Sequence, residues 1–182
     1  PAWAKWARTM TDLKAVKGWP TVFADGRGLV GALASIWEGA SPAGMTGGHL
    51  RDLTATFLDE AEPLVGDTAA AAAAWRAAGE VWHQVAETAL PVDVPEFARL
   101  RELTAAVQQA IVADGDAGAA DAEAAAVELW ALRGKLDTAP PLTGTARDEH
   151  FAALADRLRA AHTAEKAAVA ELAAIAGRAS AG

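Results

Sequence analysis

The sequence predicts an all-α fold, a helical bundle of about five long helices plus one or two short N-terminal helices. Alanine makes up about a quarter of the residues, and alanine has the highest helix propensity. Apolar residues recur at three- and four-residue steps through most of the chain, which is the spacing of one helix face. No stretch alternates apolar and polar residues over the length of a strand, so no sheet is expected.

The N-terminal part is predicted to hold the short elements. A short helix is expected over Ala2–Met10, followed by a loop in which Pro20 either begins or interrupts a helix. Gly26 and Gly28 predict a turn. A longer helix should follow from Arg27 to Gly39. Its predicted core face consists of Leu29, Leu33, Ile36 and Trp37.

The stretch from Thr46 to Gly66 has the strictest helical spacing. Thr46 is a candidate N-cap, and Gly66 stands where a left-handed glycine would end the helix. The stripe predicted to be buried consists of Leu50, Leu53, Phe57, Ala61 and Leu64. The charged residues expected to stay in water are Arg51, Asp52, Asp59 and Glu60.

Three further helices are predicted before the hard break at Pro140 and Pro141. Asp67 should cap the first, which ends near Leu90; its core stripe is predicted as Trp75, Ala78, Trp82, Val85 and Ala89. The second begins at Pro95 and ends before Gly115, with a stripe of Phe97, Leu100, Val107 and Ile111. The third covers Asp121–Asp137, with a stripe of Val127, Trp130, Ala131 and Gly134.

The last helix is predicted to be the longest, from about Ala146 to Arg178. Its apolar positions alternate between three- and four-residue steps, as in a bundle packed at a shallow angle. They are Phe151, Leu154, Leu158, Ala161, Ala168, Leu172 and Ile175. Glu165 occupies the one position in the series that breaks it.

Length and charge limit the function classes. The 182 residues are enough for one domain with its own core, and no internal linker divides them. The net charge of −8 makes nucleic acid a poor partner. No apolar run reaches the length of a membrane span, so a membrane partner is not expected. A cytoplasmic location is expected instead. The chain begins at Pro1 without Met and has Trp residues close to this end, so we expect a protein that continues upstream.

No catalytic, metal or cofactor site is predicted. Cysteine is absent, and the serine residues have no nucleophile context. Glu80 and His83 match the Glu-x-x-His spacing of carboxylate-bridged iron sites, but no second copy exists and Trp82 lies between them. An exposed polar helix face is therefore the favoured interpretation. His162 with Glu165 is likewise interpreted as an ordinary helical contact.

Two groups of residues are candidate functional positions. Gly47 and Gly48 lead into a helix whose first turn carries His49 and Arg51, an arrangement that can attract an anion. The structural alternative is a tight turn, with Arg51 paired to a nearby carboxylate. Trp37, Trp75, Trp82 and Trp130 are all expected in the core. The N-terminal tryptophans are interface candidates, with local core as the alternative; they are Trp3, Trp6 and Trp19.

Three stretches carry a family resemblance. They are WAKWARTMTDLKAVKGWPTVF (3–23), GGHLRDLTATFLDEAEPLVGD (47–67) and AAAAWRAAGEVWHQVAETAL (71–90). They resemble the helical C-terminal domain, a domain of unknown function, of butirosin biosynthesis protein H-like proteins. In that family a papain-like N-terminal domain precedes it and supplies a cysteine nucleophile. The resemblance implies acyl transfer from an acyl carrier protein to an amine, as part of secondary metabolism.

This chain lacks the cysteine, so the resemblance assigns the chemistry to the missing N-terminal domain. We therefore expect residues 1–182 to be a non-catalytic accessory domain that shapes the substrate entrance or dimerises. Its expected partners are the catalytic domain of the same protein, an acyl carrier protein and a second copy of the chain. The alternative is a stand-alone helical interaction or scaffold protein with no enzymatic activity.

Overall fold

The computed structural model describes Met10, residues 17–41 and residues 48–181, and of His49 and residues 179–181 only the backbone. These residues form an all-α bundle without strands. A helical turn at Trp19–Val22 precedes six helices, five of them long. They are α1 (Leu29–Ala40), α2 (Gly48–Val65), α3 (Ala69–Ala89), α4 (Pro95–Asp114), α5 (Ala119–Thr138) and α6 (Gly144–Ala181). The predicted fold class is confirmed, and the bounds of the five long helices agree within one turn.

Short-range chemistry sets the helix ends. Gly66 ends α2 with a φ of 84°, the left-handed conformation that glycine adopts without strain. The Asp67 carboxylate accepts a hydrogen bond from the Ala69 N–H at 3.1 Å, which satisfies a free donor at the start of α3. The buried Thr68 hydroxyl donates to the Leu58 carbonyl at 2.8 Å. This bond ties the end of α2 to the start of α3. Thr46 and the predicted helix before Met10 lie outside the described residues.

The larger apolar cluster, here called the main cluster, is built where α1, α4 and α5 meet the C-terminal half of α3 and the N-terminal half of α6. The predicted core faces of α1, α3 and α6 take part in it, which confirms these assignments. Its most deeply buried large side chains are Phe97, Phe151, Leu29, Leu33, Leu90, Leu100 and Leu154.

A second cluster, here called the end cluster, lies at the opposite ends of α3 and α6. Leu58 of α2 packs there with Ala71 and Ala72 at the start of α3. Trp75, Leu172 and Ile175 cover it as partly buried side chains. Because α3 and α6 contribute to both clusters, they form the frame of the molecule.

The predicted core stripe of α5 is wrong. Val127, Trp130, Ala131 and Gly134 are exposed, and the helix instead buries Ala122, Leu129 and Leu136. Successive residues of a helix are separated by 100°, so the covered face lies beside the predicted one. The helix packs mainly against α4 and meets α1 only weakly, so one narrow strip of leucines is enough.

The predicted stripe of α4 is right at its N-terminal end and wrong at the other. Phe97 and Leu100 are buried, Val107 is half-buried and Ile111 is exposed. Helix α4 packs mainly against α5 and the 3₁₀ turn Gly115–Gly118, and its residues in the main cluster are Phe97, Leu100 and Leu103, all in its N-terminal half. Ile111 therefore has the correct phase but no neighbouring helix to cover it.

Two tryptophans provide a matched test of these assignments. Trp82 is 6% exposed in the main cluster, whereas Trp130 is 67% exposed. We expect Trp82→Ala to lower the free energy of unfolding by about 3–5 kcal/mol. Trp130→Ala should cost less than about 1 kcal/mol, because it removes little more than a cation–π contact with Arg133. Denaturant titrations of both variants measure the difference, and equal losses would contradict the assignment.

Candidate functional site

The apolar stripe of α2 faces outward, so its predicted burial is wrong. Of its five residues, Leu50, Leu53, Phe57 and Leu64 are exposed, with Phe57 at 64% and Leu64 at 86%, and Ala61 is half-buried. The buried residues described in this helix are Gly48, Ala55 and Leu58. The helix has two apolar faces, and the smaller one packs against the bundle. Such an uncovered apolar surface is typical of interaction sites.

The exposed face is here called the outer stripe and consists of Leu50, Leu53, Phe57, Glu60 and Leu64. At 1.5 Å per residue it is about 21 Å long. A shallow groove of about 450 Å³ lies along its middle and is lined by Leu53, Thr54, Thr56, Phe57 and Glu60. The outer stripe is thus a continuous apolar surface containing one carboxylate.

Two glycines allow α2 to lie close against α3. A Cβ atom at Gly48 would collide with the His83 imidazole, and one at Gly79 would collide with the Asp52 carboxylate. Polar contacts accompany this approach: Asp52 Oδ2 lies 3.2 Å from His83 Nε2, and Asp59 forms an ion pair with Arg76. The close approach fixes the rotation of α2 and therefore directs the outer stripe toward solvent.

A shared carboxylate joins α2 to α3 and α6. Glu165 Oε1 accepts hydrogen bonds from Arg51 Nε at 2.8 Å and from Trp82 Nε1 at 2.9 Å. Arg51 Nη2 makes a further contact with the same carboxylate. The guanidinium also lies 5.2 Å from the centroid of the Trp82 ring. The side chains of Arg51 and Glu165 are only 15% and 16% exposed, so Arg51 does not stay in water as the sequence predicts.

The candidate anion-binding residues are only partly brought together. Gly47 lies outside the described residues, as does the side chain of His49. Gly48 packs against His83, and Arg51 has the carboxylate partner that the structural alternative requires. An anion at this helix start stays a prediction.

Of the three candidate interface tryptophans, the structure describes only Trp19. Trp3 and Trp6 lie outside the described residues. Trp19 is half-buried and meets Phe23 and Phe151 edge-on, at centroid distances of 5.1 and 5.4 Å. Trp19 thus contributes to local packing, and an interface role for it stays a prediction.

The Glu-x-x-His pair forms no recognisable metal centre. His83 Nδ1 lies 3.9 Å from a Glu80 carboxylate oxygen, while Trp82 between them points into the main cluster. Among the residues that the structure describes, no group of three or more His, Asp or Glu side chains could hold a metal ion. Over the same residues, no helix combines the length and hydropathy of a membrane span.

Comparison of the chain with protein-family models, with curated proteins and with solved structures finds no match. The outer stripe and the Arg51–Glu165–Trp82 contact therefore stand as the main candidate features. Sequence spacing located the four apolar residues of the outer stripe but placed them in the core. Glu60 was predicted to lie off that stripe in water, and its exposure is confirmed. The sequence contained a signal for Glu165 as a buried ionic partner, because it is the one polar residue in the apolar series of α6.

His150 is the titratable group most affected by burial. Desolvation lowers the pKa of its imidazole, and a hydrogen bond with the Ala89 backbone offsets part of this effect. Its Nε2 atom is buried without a hydrogen-bond partner. The neutral imidazole is therefore the form that the fold favours.

We expect His150 to make stability depend on pH. The unfolded chain binds the proton at pH values near 6.5, where the folded chain resists it. The contribution of the neutral His150 to the free energy of unfolding is thus complete above about pH 6.5. It is lost as the pH falls toward the lower pKa of His150 in the folded state. His150→Gln should flatten this part of the curve. Unfolding free energies of both proteins between pH 5 and 8 measure it, and parallel curves would contradict it.

A double-mutant cycle tests the Arg51–Glu165 pair. Arg51→Ala should lower stability by about 1–3 kcal/mol, since it leaves a partly buried carboxylate without its cation. The combined Arg51→Ala and Glu165→Ala variant should lose less than the sum of the single losses, because the pair is then absent altogether. Strict additivity in denaturant titrations would show that the pair does not interact.

Proposed function

We propose that this chain is a non-catalytic helical interaction domain that binds another folded domain through the outer stripe. The observation that carries the proposal is the exposure of Phe57 and its apolar neighbours along about four turns of α2. Isolated apolar side chains are common on protein surfaces, but a continuous row along one helix face favours a partner.

The family resemblance supports a specific partner for this domain. In butirosin biosynthesis protein H-like proteins a papain-like domain precedes the helical one and holds the catalytic cysteine. On this proposal the outer stripe packs against that domain and shapes its substrate entrance. The parent protein then transfers an acyl group from an acyl carrier protein to an amine in the cytoplasm, and residues 1–182 contribute no reacting group.

The alternative is a stand-alone helical interaction or scaffold protein. It shares the outer stripe with the first proposal but needs no enzyme. The upstream reading frame discriminates between the two. A cysteine-bearing α+β domain before Pro1 supports the accessory role, and its absence leaves the scaffold role.

A binding measurement tests the accessory role directly. The upstream domain and residues 1–182, prepared as separate chains, should associate in isothermal titration calorimetry. Phe57→Asp should weaken this association at least tenfold, because it places a charge in an apolar contact. Its melting temperature should stay close to that of the wild type, since Phe57 is exposed.

Val169→Asp is the matched control. Val169 is an exposed valine on α6, outside the outer stripe, so its replacement adds the same charge without touching the proposed contact. Equal affinities of the wild type and the Phe57→Asp variant would exclude the outer stripe as the interface.

A further inference from the structure

The outer stripe has a distinctive charge. Glu60 is exposed within its apolar row and lines the groove beside Phe57. Within the described part of the chain, no hydrogen bond or ion pair involves Glu60. A partner that covers this carboxylate must supply hydrogen-bond donors to it or bury it unpaired at high cost, and a cation is the donor that also compensates its charge.

The surroundings of Glu60 strengthen the negative potential. Besides Glu60, α2 carries Asp52, Glu62 and the Arg76-paired Asp59, and its only lysine or arginine, Arg51, pairs with Glu165. Of the nearby bases on α3, Arg76 is already paired with Asp59. The whole chain has a net charge of −8. Both the local and the overall charge thus favour a basic partner.

A second copy of the chain does not meet this requirement. In a two-fold contact the same surface is used on both sides. The outer stripe offers leucine and phenylalanine to its copy but neither lysine nor arginine. Each Glu60 would then be buried against apolar side chains, and two chains of charge −8 would be brought together.

We infer that the outer stripe binds a basic amphipathic helix of a partner protein or domain. This inference rests on the proposed function and adds the chemistry of the partner. A helix of about 15 residues matches the 21 Å length of the stripe. Its apolar face would cover Leu53, Phe57 and Leu64, and a lysine or arginine bordering that face would pair with Glu60.

Two synthetic peptides test the inference. Both are 18-residue helices with the same leucine face, one bordered by lysine and the other by glutamate. Fluorescence anisotropy with the full chain should show at least tenfold tighter binding of the lysine peptide. Raising the salt concentration should narrow the difference, because exposed ionic contacts are screened.

Glu60→Lys and Glu62→Lys form a matched pair of variants. Glu62 lies two residues further along α2, about 200° around the helix, so it points away from the outer stripe. Both changes alter the net charge equally. Glu60→Lys should weaken binding of the lysine peptide about tenfold or more and strengthen binding of the glutamate peptide. Glu62→Lys should change either affinity less than threefold.

The outcomes separate this inference from the proposed function. If Phe57→Ser abolishes binding of both peptides while Glu60→Lys leaves their order unchanged, the surface stands and the basic partner is wrong. If Phe57→Ser has no effect, the surface itself fails. Equal effects of Glu60→Lys and Glu62→Lys on the two peptide affinities would mean that net charge alone sets the preference for the lysine peptide. That result would contradict a specific contact with Glu60. A wild-type dimer in sedimentation equilibrium that Phe57→Ser dissociates would make a second copy the occupant and overturn the inference.

Discussion

One carboxylate holds three helices in a single arrangement. Glu165 lies on α6 between the main cluster and the end cluster, and it accepts hydrogen bonds from Arg51 of α2 and Trp82 of α3. Contacts between alanine-rich faces are weakly directional, so helices that meet through them can shift or rotate at little cost. A partly buried ionic contact is strongly directional, because any shift leaves a charge without its partner. We therefore attribute the register of α2, and with it the outward orientation of the outer stripe, to this contact together with the close approach of α2 and α3 at Gly48 and Gly79.

Periodicity predicted the helices well but not always the faces that they bury. Spacing shows which residues share a face, whereas burial depends on which neighbouring helix is present. On α2 the larger apolar face, with Phe57 and Leu64, was assigned to the core. The side chains of α2 that are buried in the bundle are instead Ala55 and Leu58. The assignment failed because alanine contributes little to a hydrophobic pattern while allowing backbones to approach closely. On α5 the error had a different cause: two apolar faces lie side by side, and Trp130 was assigned to the core although the neighbouring face with Leu129 and Leu136 is the buried one.

The candidate site shows a different limit. Arg51 and Glu165 are 114 residues apart, so no local pattern links them, although the break in the series of α6 marked Glu165 as unusual. The sequence offered both an anion-binding and a structural role for Arg51, and the observed pairing provides a physical basis for the structural one. The apolar residues of the outer stripe could be located from spacing, but their position at the surface beside Glu60 was recognised only once α3 and α6 were seen to cover the opposite side.

The sharing of α3 and α6 between the two clusters has a consequence for cooperativity. Both clusters lose apolar contacts if α3 and α6 separate. Unfolding of one cluster therefore removes helices that the other cluster needs. Apolar groups that are divided in space are thus joined in one unfolding unit. The distal part of the α4–α5 hairpin lies outside this unit, since it packs mainly on itself. We therefore expect its amide groups to exchange through a separate opening of lower free energy than the unfolding of the frame formed by α3 and α6.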